Sequence, residues 1–211
     1  MDKKRLFVVF SATPLKMGTL IRTATGERYN HISLSLSPTL NKMYSFARRH
    51  KNTPFYGGFV CETPARYRNK GKVAEVFICA LPLTDDKHSE LAELFEDMER
   101  ERLKYNYNLF SAALAPISRK IAIKNSFTCA EFASFVISKV YSQISADKFY
   151  SVDDLRRLLE DFAVYFGSFP NISEGAADPS YEQKISLYKN FRLTLGSGKE
   201  LVKARFNKQD K

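Results

Sequence analysis

The 211-residue sequence has no tryptophan, only three histidines and only three cysteines. Cys61, Cys79 and Cys129 are odd in number, and they lack the paired spacing of a zinc site or of a dense disulfide framework. We therefore expect no metal, no cofactor and a reducing compartment.

Long apolar runs are also scarce. The run LFVVF near the N-terminus is five residues long, which is too short for the core of a signal peptide or for a membrane span. The sequence therefore predicts a cytoplasmic protein. Its composition, with 44% hydrophobic and 27% charged residues, is typical of a globular protein.

Acidic residues are the minority, and the net charge is +10. A first basic region, residues 42–72, has eight bases and one acid, and a second basic region, residues 181–211, has eight bases and three acids. Such regions are typical of proteins that bind nucleic acid, an anionic membrane or another polyanion. A solubilising surface is the alternative, because no aromatic-rich binding motif accompanies the bases.

Alternating and helical periodicities predict an α+β domain over residues 1–167. The predicted strands are RLFVVFSA, YNHISLSLS, KMYSFA, GGFVCE and KVAEVFICAL. The predicted helices begin at Thr13–Pro14, within TDDKHSELAELFEDMERERLKY, at NLFSAALAPI, at Cys129, and at SVDDLRRLLEDFAVYF, which closes at Gly167. Residues 168–211 have only weak strand-like alternation and are interpreted as a basic C-terminal extension.

Cys129 lies where a helix is predicted to begin. Asn125, Ser126 or Thr128 can cap that helix, which places the thiol in the first turn, where the helix dipole favours a thiolate. An apolar stripe also continues from Cys129 along the helix, so a core role for the sulfur is the competing interpretation.

A thiolate nucleophile needs a base, which is normally histidine. His50 and His88 lie in charged runs and are interpreted as surface residues. His31 instead begins an amphipathic strand, on the polar face that it shares with Ser33. We expect that strand to be half-buried, with its polar face open to a neighbouring element.

The segments YNHISLSL and FTCAEFASFV together resemble the circularly permuted branch of the NlpC-type, papain-like cysteine hydrolases, which includes relatives of lecithin:retinol acyltransferase. In this branch the histidine strand precedes the cysteine helix, and here 98 residues separate His31 from Cys129. The segments LKYNYNLFSAAL and SVDDL resemble parts of the family before and after the cysteine helix. The resemblance ends near residue 160.

The resemblance implies a papain-like fold, with an antiparallel sheet packed against helices and the cysteine at a helix N-terminus. It implies that Cys129 is the nucleophile, that His31 is the base and that Tyr107 is an oxyanion donor. The family orients its histidine with a polar residue from the next strand, a position that Ser45 occupies here. Glu62 could take this role from a later strand, or it could pair with a nearby arginine.

The expected function is that of a cysteine peptidase, amidase or acyltransferase that forms an acyl-thioester. The expected partner is a peptide, lipid or small-molecule acyl substrate, for which the first basic region favours an anion. The alternative is a non-catalytic protein of the same fold that binds nucleic acid or an anionic membrane through its basic faces. The sequence does not choose between hydrolysis and acyl transfer.

Overall fold

The computed structural model describes residues 3–13, 26–170 and 178–206. The helix predicted to begin at Thr13–Pro14 lies outside these residues, apart from Thr13 itself. The strands are β1 (Arg5–Ala12), β2 (His31–Ser35), β3 (Met43–Arg48), β4 (Gly57–Glu62), β5 (Arg68–Asn69), β6 (Lys72–Val73), β7 (Glu75–Pro82), β8 (Asn106–Tyr107), β9 (Ser126–Phe127) and β10 (Ala163–Ser168). The α-helices are α1 (Asp85–Arg100), α2 (Leu109–Leu114), α3 (Cys129–Ile137), α4 (Val152–Leu158), α5 (Pro179–Glu182) and α6 (Leu187–Phe206).

Six strands form one antiparallel sheet in the order β10-β7-β1-β2-β3-β4. Strands β5 and β6 make a short hairpin, and β8 and β9 pair in parallel. With its helices, the sheet confirms the predicted α+β class. No helix in the described ranges is both long and apolar enough to cross a bilayer.

The two faces of the sheet bury different sets of side chains. Leu6, Val8 and Phe10 of β1 join a large apolar cluster that includes residues of α1, α3 and α4, whereas Val9 joins a smaller cluster around Tyr67. Alternation of side chains along β1 produces this division. The sheet is therefore covered on both sides, and helices build the larger core.

The prediction that β2 is half-buried is wrong, because all five of its residues are buried. Ile32 and Leu34 lie in the large cluster, so His31, Ser33 and Ser35 point toward the opposite face. Buried polar side chains on that face supply the hydrogen bonds that water would otherwise make.

The prediction of one helix from Ser151 to Gly167 is also wrong in its second half. Helix α4 begins at the predicted capping box of Ser151 and Asp154, but it ends at Leu158. The segment Ala163–Ser168 instead forms the edge strand β10, which pairs with β7 on the side that β1 leaves open. Its Val-Tyr-Phe sequence favours a strand, and the open edge of β7 supplies the hydrogen-bond partners.

The C-terminal segment is helical rather than strand-like. Helix α6 is 20 residues long, and it follows the short helix α5. Asp178 accepts a hydrogen bond from Arg66 at 2.8 Å, and the carbonyl of Tyr181 accepts one from the N–H of Lys51 at 2.8 Å. The segment around α5 thus packs on the sheet domain, and the predicted division after residue 167 stays a prediction.

Candidate active site

A capping box fixes the start of the cysteine helix. The Thr128 hydroxyl accepts from the N–H of Glu131 at 3.2 Å, and the Glu131 carboxylate accepts from the N–H of Thr128 at 2.7 Å. Thr128, one of three predicted candidates, is therefore the cap, and Cys129 is the first helical residue. Its N–H is among those at a helix start that have no carbonyl partner within the helix.

Parallel pairing of β8 with β9 places Tyr107 beside the cysteine helix. Tyr107 pairs with Phe127, and Phe127 is two residues before Cys129. Two glycines of β4 permit this arrangement: a Cβ on Gly57 would lie 3.0 Å from the Tyr107 Cβ, and one on Gly58 would collide with the carbonyl of Tyr105. Any larger residue at these positions would push β8 away from the sheet.

His31 is buried at the start of β2, and its imidazole faces the carboxylate of Glu62. Its Nε2 atom lies 3.2 and 3.1 Å from the two carboxylate oxygens of Glu62. The Cys129 thiol is among the neighbours that raise the pKa of His31, and it lines the same cavity as the imidazole and the carboxylate. His31 and Glu62 therefore form a hydrogen-bonded pair, and Cys129 lies beside that pair.

The Glu62 carboxylate is buried and held by several donors. It accepts hydrogen bonds from the Ser33 hydroxyl at 2.5 Å and from the Tyr67 hydroxyl at 2.8 Å. The guanidinium of Arg66 lies 3.8 Å from its other oxygen. These partners replace the water that the carboxylate loses on burial, so its position is fixed.

The charges of His31 and Glu62 stabilise one another. Burial disfavours the imidazolium, but the Glu62 carboxylate and the neighbouring Cys129 outweigh it and raise the pKa of His31 to about 10. Burial likewise disfavours the carboxylate, but the charge and hydrogen bond of His31, with help from Arg66, lower the pKa of Glu62 to about 2. At neutral pH the pair is therefore an imidazolium and a carboxylate.

Ser45 also lies near the imidazole, but it is less suited to orient the ring. Its hydroxyl is 3.4 Å from Nε2 of His31, and it donates its only hydrogen to the carbonyl of Ile32 at 2.7 Å. Glu62 has the shorter contacts and the charge. Ser45 is the first candidate in the sequence, although Glu62 is the only acid of the first basic region and ends a predicted strand. These two features of the sequence pointed to Glu62 as the residue that orients His31.

Tyr107 stays a neutral phenol near the thiol. Burial raises its pKa well above the usual value, and the neighbouring Cys129 and Glu131 raise it further. A phenol with a raised pKa keeps its proton at neutral pH and can donate a hydrogen bond. This is the property that the predicted oxyanion donor requires.

These side chains line one cavity of about 250 Å³. Its wall includes Cys129, His31, Glu62 and Tyr107, and other parts are lined by Arg48, Arg66, Phe55 and Tyr181. The volume suits an acyl group or a small segment of a larger substrate. The thiol thus belongs to the apolar core on one side and to an open cavity on the other.

The first basic region is less free than its composition indicates. Three of its bases form ion pairs within the fold, Lys42 with Glu99 at 2.7 Å, Lys51 with Glu182 at 3.7 Å, and Arg66 with Asp178 at 2.8 Å. Arg49 donates to the carbonyls of Arg102 and Tyr105, each at 2.7 Å. Several of the bases on which the expectation of an anionic partner rested are thus already paired. That expectation remains a prediction.

The other two cysteines lie in different surroundings. Cys79, in the centre of the sheet, donates a hydrogen bond to the carbonyl of Leu159 at 3.2 Å, and burial raises its pKa to about 12. Burial also raises the pKa of Cys61 to about 11. Both thiols are therefore protonated at neutral pH.

Comparison of the chain with protein-family models, with curated proteins and with solved structures returns no match.

Proposed function

We propose that this protein is a cysteine hydrolase or acyltransferase with a permuted papain-like fold, in which Cys129 is the nucleophile. One observation carries the proposal: Cys129 lies on the wall of an open cavity together with a hydrogen-bonded pair of His31 and Glu62. The order of the histidine strand and the cysteine helix supports the same assignment.

In the acylation step, the sulfur of Cys129 attacks the carbonyl carbon of an amide, ester or thioester. The new S–C bond forms as the bond to the leaving group breaks, and His31 gives a proton to the departing nitrogen, oxygen or sulfur. The products are an acyl-thioester on Cys129 and a neutral imidazole, which Glu62 continues to orient.

In the second step, water or another nucleophile attacks the thioester carbonyl. His31 accepts the proton of the attacking group, the S–C bond breaks, and the imidazolium–thiolate pair forms again. Water gives hydrolysis and an amine or alcohol gives acyl transfer, so the same residues serve both reactions.

Two donors are suited to stabilise the tetrahedral oxyanion. The N–H of Cys129 is free for this role at the start of α3, and the Tyr107 phenol lines the same cavity. Removal of one such donor commonly lowers kcat by about 10²–10³-fold.

The test is to trap the acyl-enzyme. Incubation with p-nitrophenyl acetate, followed by intact-mass and peptide analysis, is expected to place an acetyl group on Cys129, and His31→Ala is expected to slow its formation. Iodoacetamide provides an independent probe at about pH 6, where a free thiol is about 0.3% ionised. Acetylation and alkylation of Cys129 no faster than those of Cys61 would reject the proposal.

A further inference from the structure

Helix α6 carries an apolar stripe that faces away from the rest of the protein. The stripe consists of five large side chains whose exposed fractions are 72% for Tyr188, 63% for Phe191, 48% for Leu195, 45% for Val202 and 62% for Phe206. At 100° per residue they fall within an arc of about 60° along the whole helix. An exposed stripe of this length is unusual on a soluble surface.

The opposite side of α6 is the side that packs. Ser197 and Leu201 are buried, and both lie roughly 100° or more from the stripe on a helical wheel. Leu193 and Ala204 on that same side are partly covered. The apolar stripe is therefore a second face of the helix and not its contact with the core.

Basic side chains form a row beside the stripe. Arg192, Lys199 and Lys203 are exposed and follow the stripe along one flank, and Lys189 lies farther along the same side. Glu200 is the one acid within α6, and it lies beyond this row, toward the packed face. An apolar stripe with an adjoining basic row is the pattern of a helix that lies in the interface of an anionic bilayer.

The start of α6 is joined to the rim of the cavity. The side chain of Asn190 donates to the carbonyl of Asn52 at 3.1 Å, and the Asn52 side chain donates to the carbonyl of Ile185 at 2.7 Å. Asn52 is three residues before Phe55, which lines the cavity and is exposed. Any external surface to which α6 binds would therefore lie near the entrance to the cavity.

We propose that α6 binds the surface of an anionic membrane, with the apolar stripe in the headgroup region and the basic row on acidic lipid headgroups. The helix does not cross the bilayer, since its charged residues exclude that arrangement. This inference does not depend on the thiol chemistry, because none of the stripe residues lines the cavity.

The test is sedimentation of the full chain with vesicles. Vesicles of equimolar phosphatidylserine and phosphatidylcholine should bind the protein, and vesicles of phosphatidylcholine alone should bind it much less. Replacing Phe191 and Leu195 with Ser together should lower the partition coefficient about tenfold or more, because two large apolar contacts are lost. Cys129→Ala should bind like the wild type, which separates this proposal from the enzymatic one.

Charge reversal provides the second variant. Arg192→Glu with Lys199→Glu should lower binding to the anionic vesicles by about a hundredfold or more. The matched control, Lys70→Glu with Lys72→Glu, makes the same change in charge at exposed positions outside α6 and should have a much smaller effect. Circular dichroism of each variant establishes that the helices are retained.

Three outcomes would overturn the proposal. The first is equal binding by the wild type and by both α6 variants. The second is a dimer in sedimentation equilibrium that the Phe191 and Leu195 substitutions dissociate, which would assign the stripe to a second copy of the chain. The third is salt-sensitive binding of duplex DNA or RNA through the basic row, without binding to vesicles.

Discussion

The cavity wall and the interior of the sheet each contain a buried cysteine, but the surroundings of the two thiols differ. At Cys79 the sulfur lies among apolar side chains and donates to a carbonyl, so burial raises its pKa. Cys129 instead begins a helix and lines a cavity beside a histidine that a carboxylate keeps charged. Burial alone suppresses a thiol's reactivity, whereas a helix start and an imidazolium beside it can reverse that effect.

Removing the cavity thiol should have the largest effect. Cys129→Ala is expected to abolish turnover of an activated ester, with a loss of at least about 10³-fold, because the proposed nucleophile is lost. Cys61→Ala is the matched control and should keep the wild-type rate. Steady-state hydrolysis of p-nitrophenyl acetate measures both, and residual turnover in the Cys129 variant would move the nucleophile elsewhere.

Removing the imidazole should come next. His31→Ala is expected to lower acyl transfer by about 10²–10⁴-fold, since general acid–base catalysis is lost. Alkylation of Cys129 at about pH 6 should slow about tenfold, because the gain in thiolate fraction is partly offset by the weaker nucleophilicity of a stabilised thiolate. His50→Ala is the control, and an equal loss in that variant would contradict a specific role for His31.

Neutralising the carboxylate should have a smaller and pH-dependent effect. Glu62→Gln keeps the shape but removes the charge that raises the pKa of His31, so that pKa should fall by about one unit or more. NMR titration of the His31 ring measures this shift. Turnover should fall about 10–100-fold. Glu99→Gln, which breaks the exposed pair with Lys42, should leave both quantities unchanged.

The same pair predicts how stability depends on pH. The pKa of His31 is raised to about 10, so its contribution is complete below its unfolded pKa of about 6.5 and is lost as pH rises toward 10. The pKa of Glu62 is lowered to about 2, so its contribution is complete above about pH 4.5 and is lost toward pH 2.

Urea unfolding of the wild type and Glu62→Gln should therefore differ most between about pH 4.5 and 6.5, by about 1–3 kcal/mol. The difference should shrink on both sides of that window. A difference that is constant from acid to alkaline pH would mean that packing, and not the ion pair, is lost in the variant.

Ser45 should matter least. Because its hydrogen is committed to the carbonyl of Ile32, Ser45→Ala is expected to change turnover by less than about threefold and to lower the free energy of unfolding by about 1 kcal/mol. Parallel kinetics and urea unfolding measure the two effects. A hundredfold loss of turnover would instead make Ser45 the residue that orients His31.

Local sequence signals predicted much of the fold. The strand β1, the cap at Thr128, which was one of three candidates, and the capping box at Ser151 depend on short-range features, and the structure has them. The errors concern long-range pairing. The segment from Ala163 looks helical until the edge of β7 is available to pair with it, and His31 looks half-exposed until the side chains across the sheet are known.

The partnership of His31 with Glu62 has the same origin. The two residues are 31 positions apart and lie on strands separated by β3, so their contact depends on sheet order and register. The sequence supplied Glu62 as a candidate, but it favoured an arginine partner for this residue. The structure gives the carboxylate both partners, and this could not be read from residue types alone.

The most direct test is the rate of iodoacetamide alkylation at Cys129, resolved by peptide mass spectrometry, in the wild type and in His31→Ala. If the imidazolium of His31 activates the thiol, the wild-type rate constant at about pH 6 should exceed that of the variant by about tenfold. Equal rate constants in the wild type and in the variant would contradict the account.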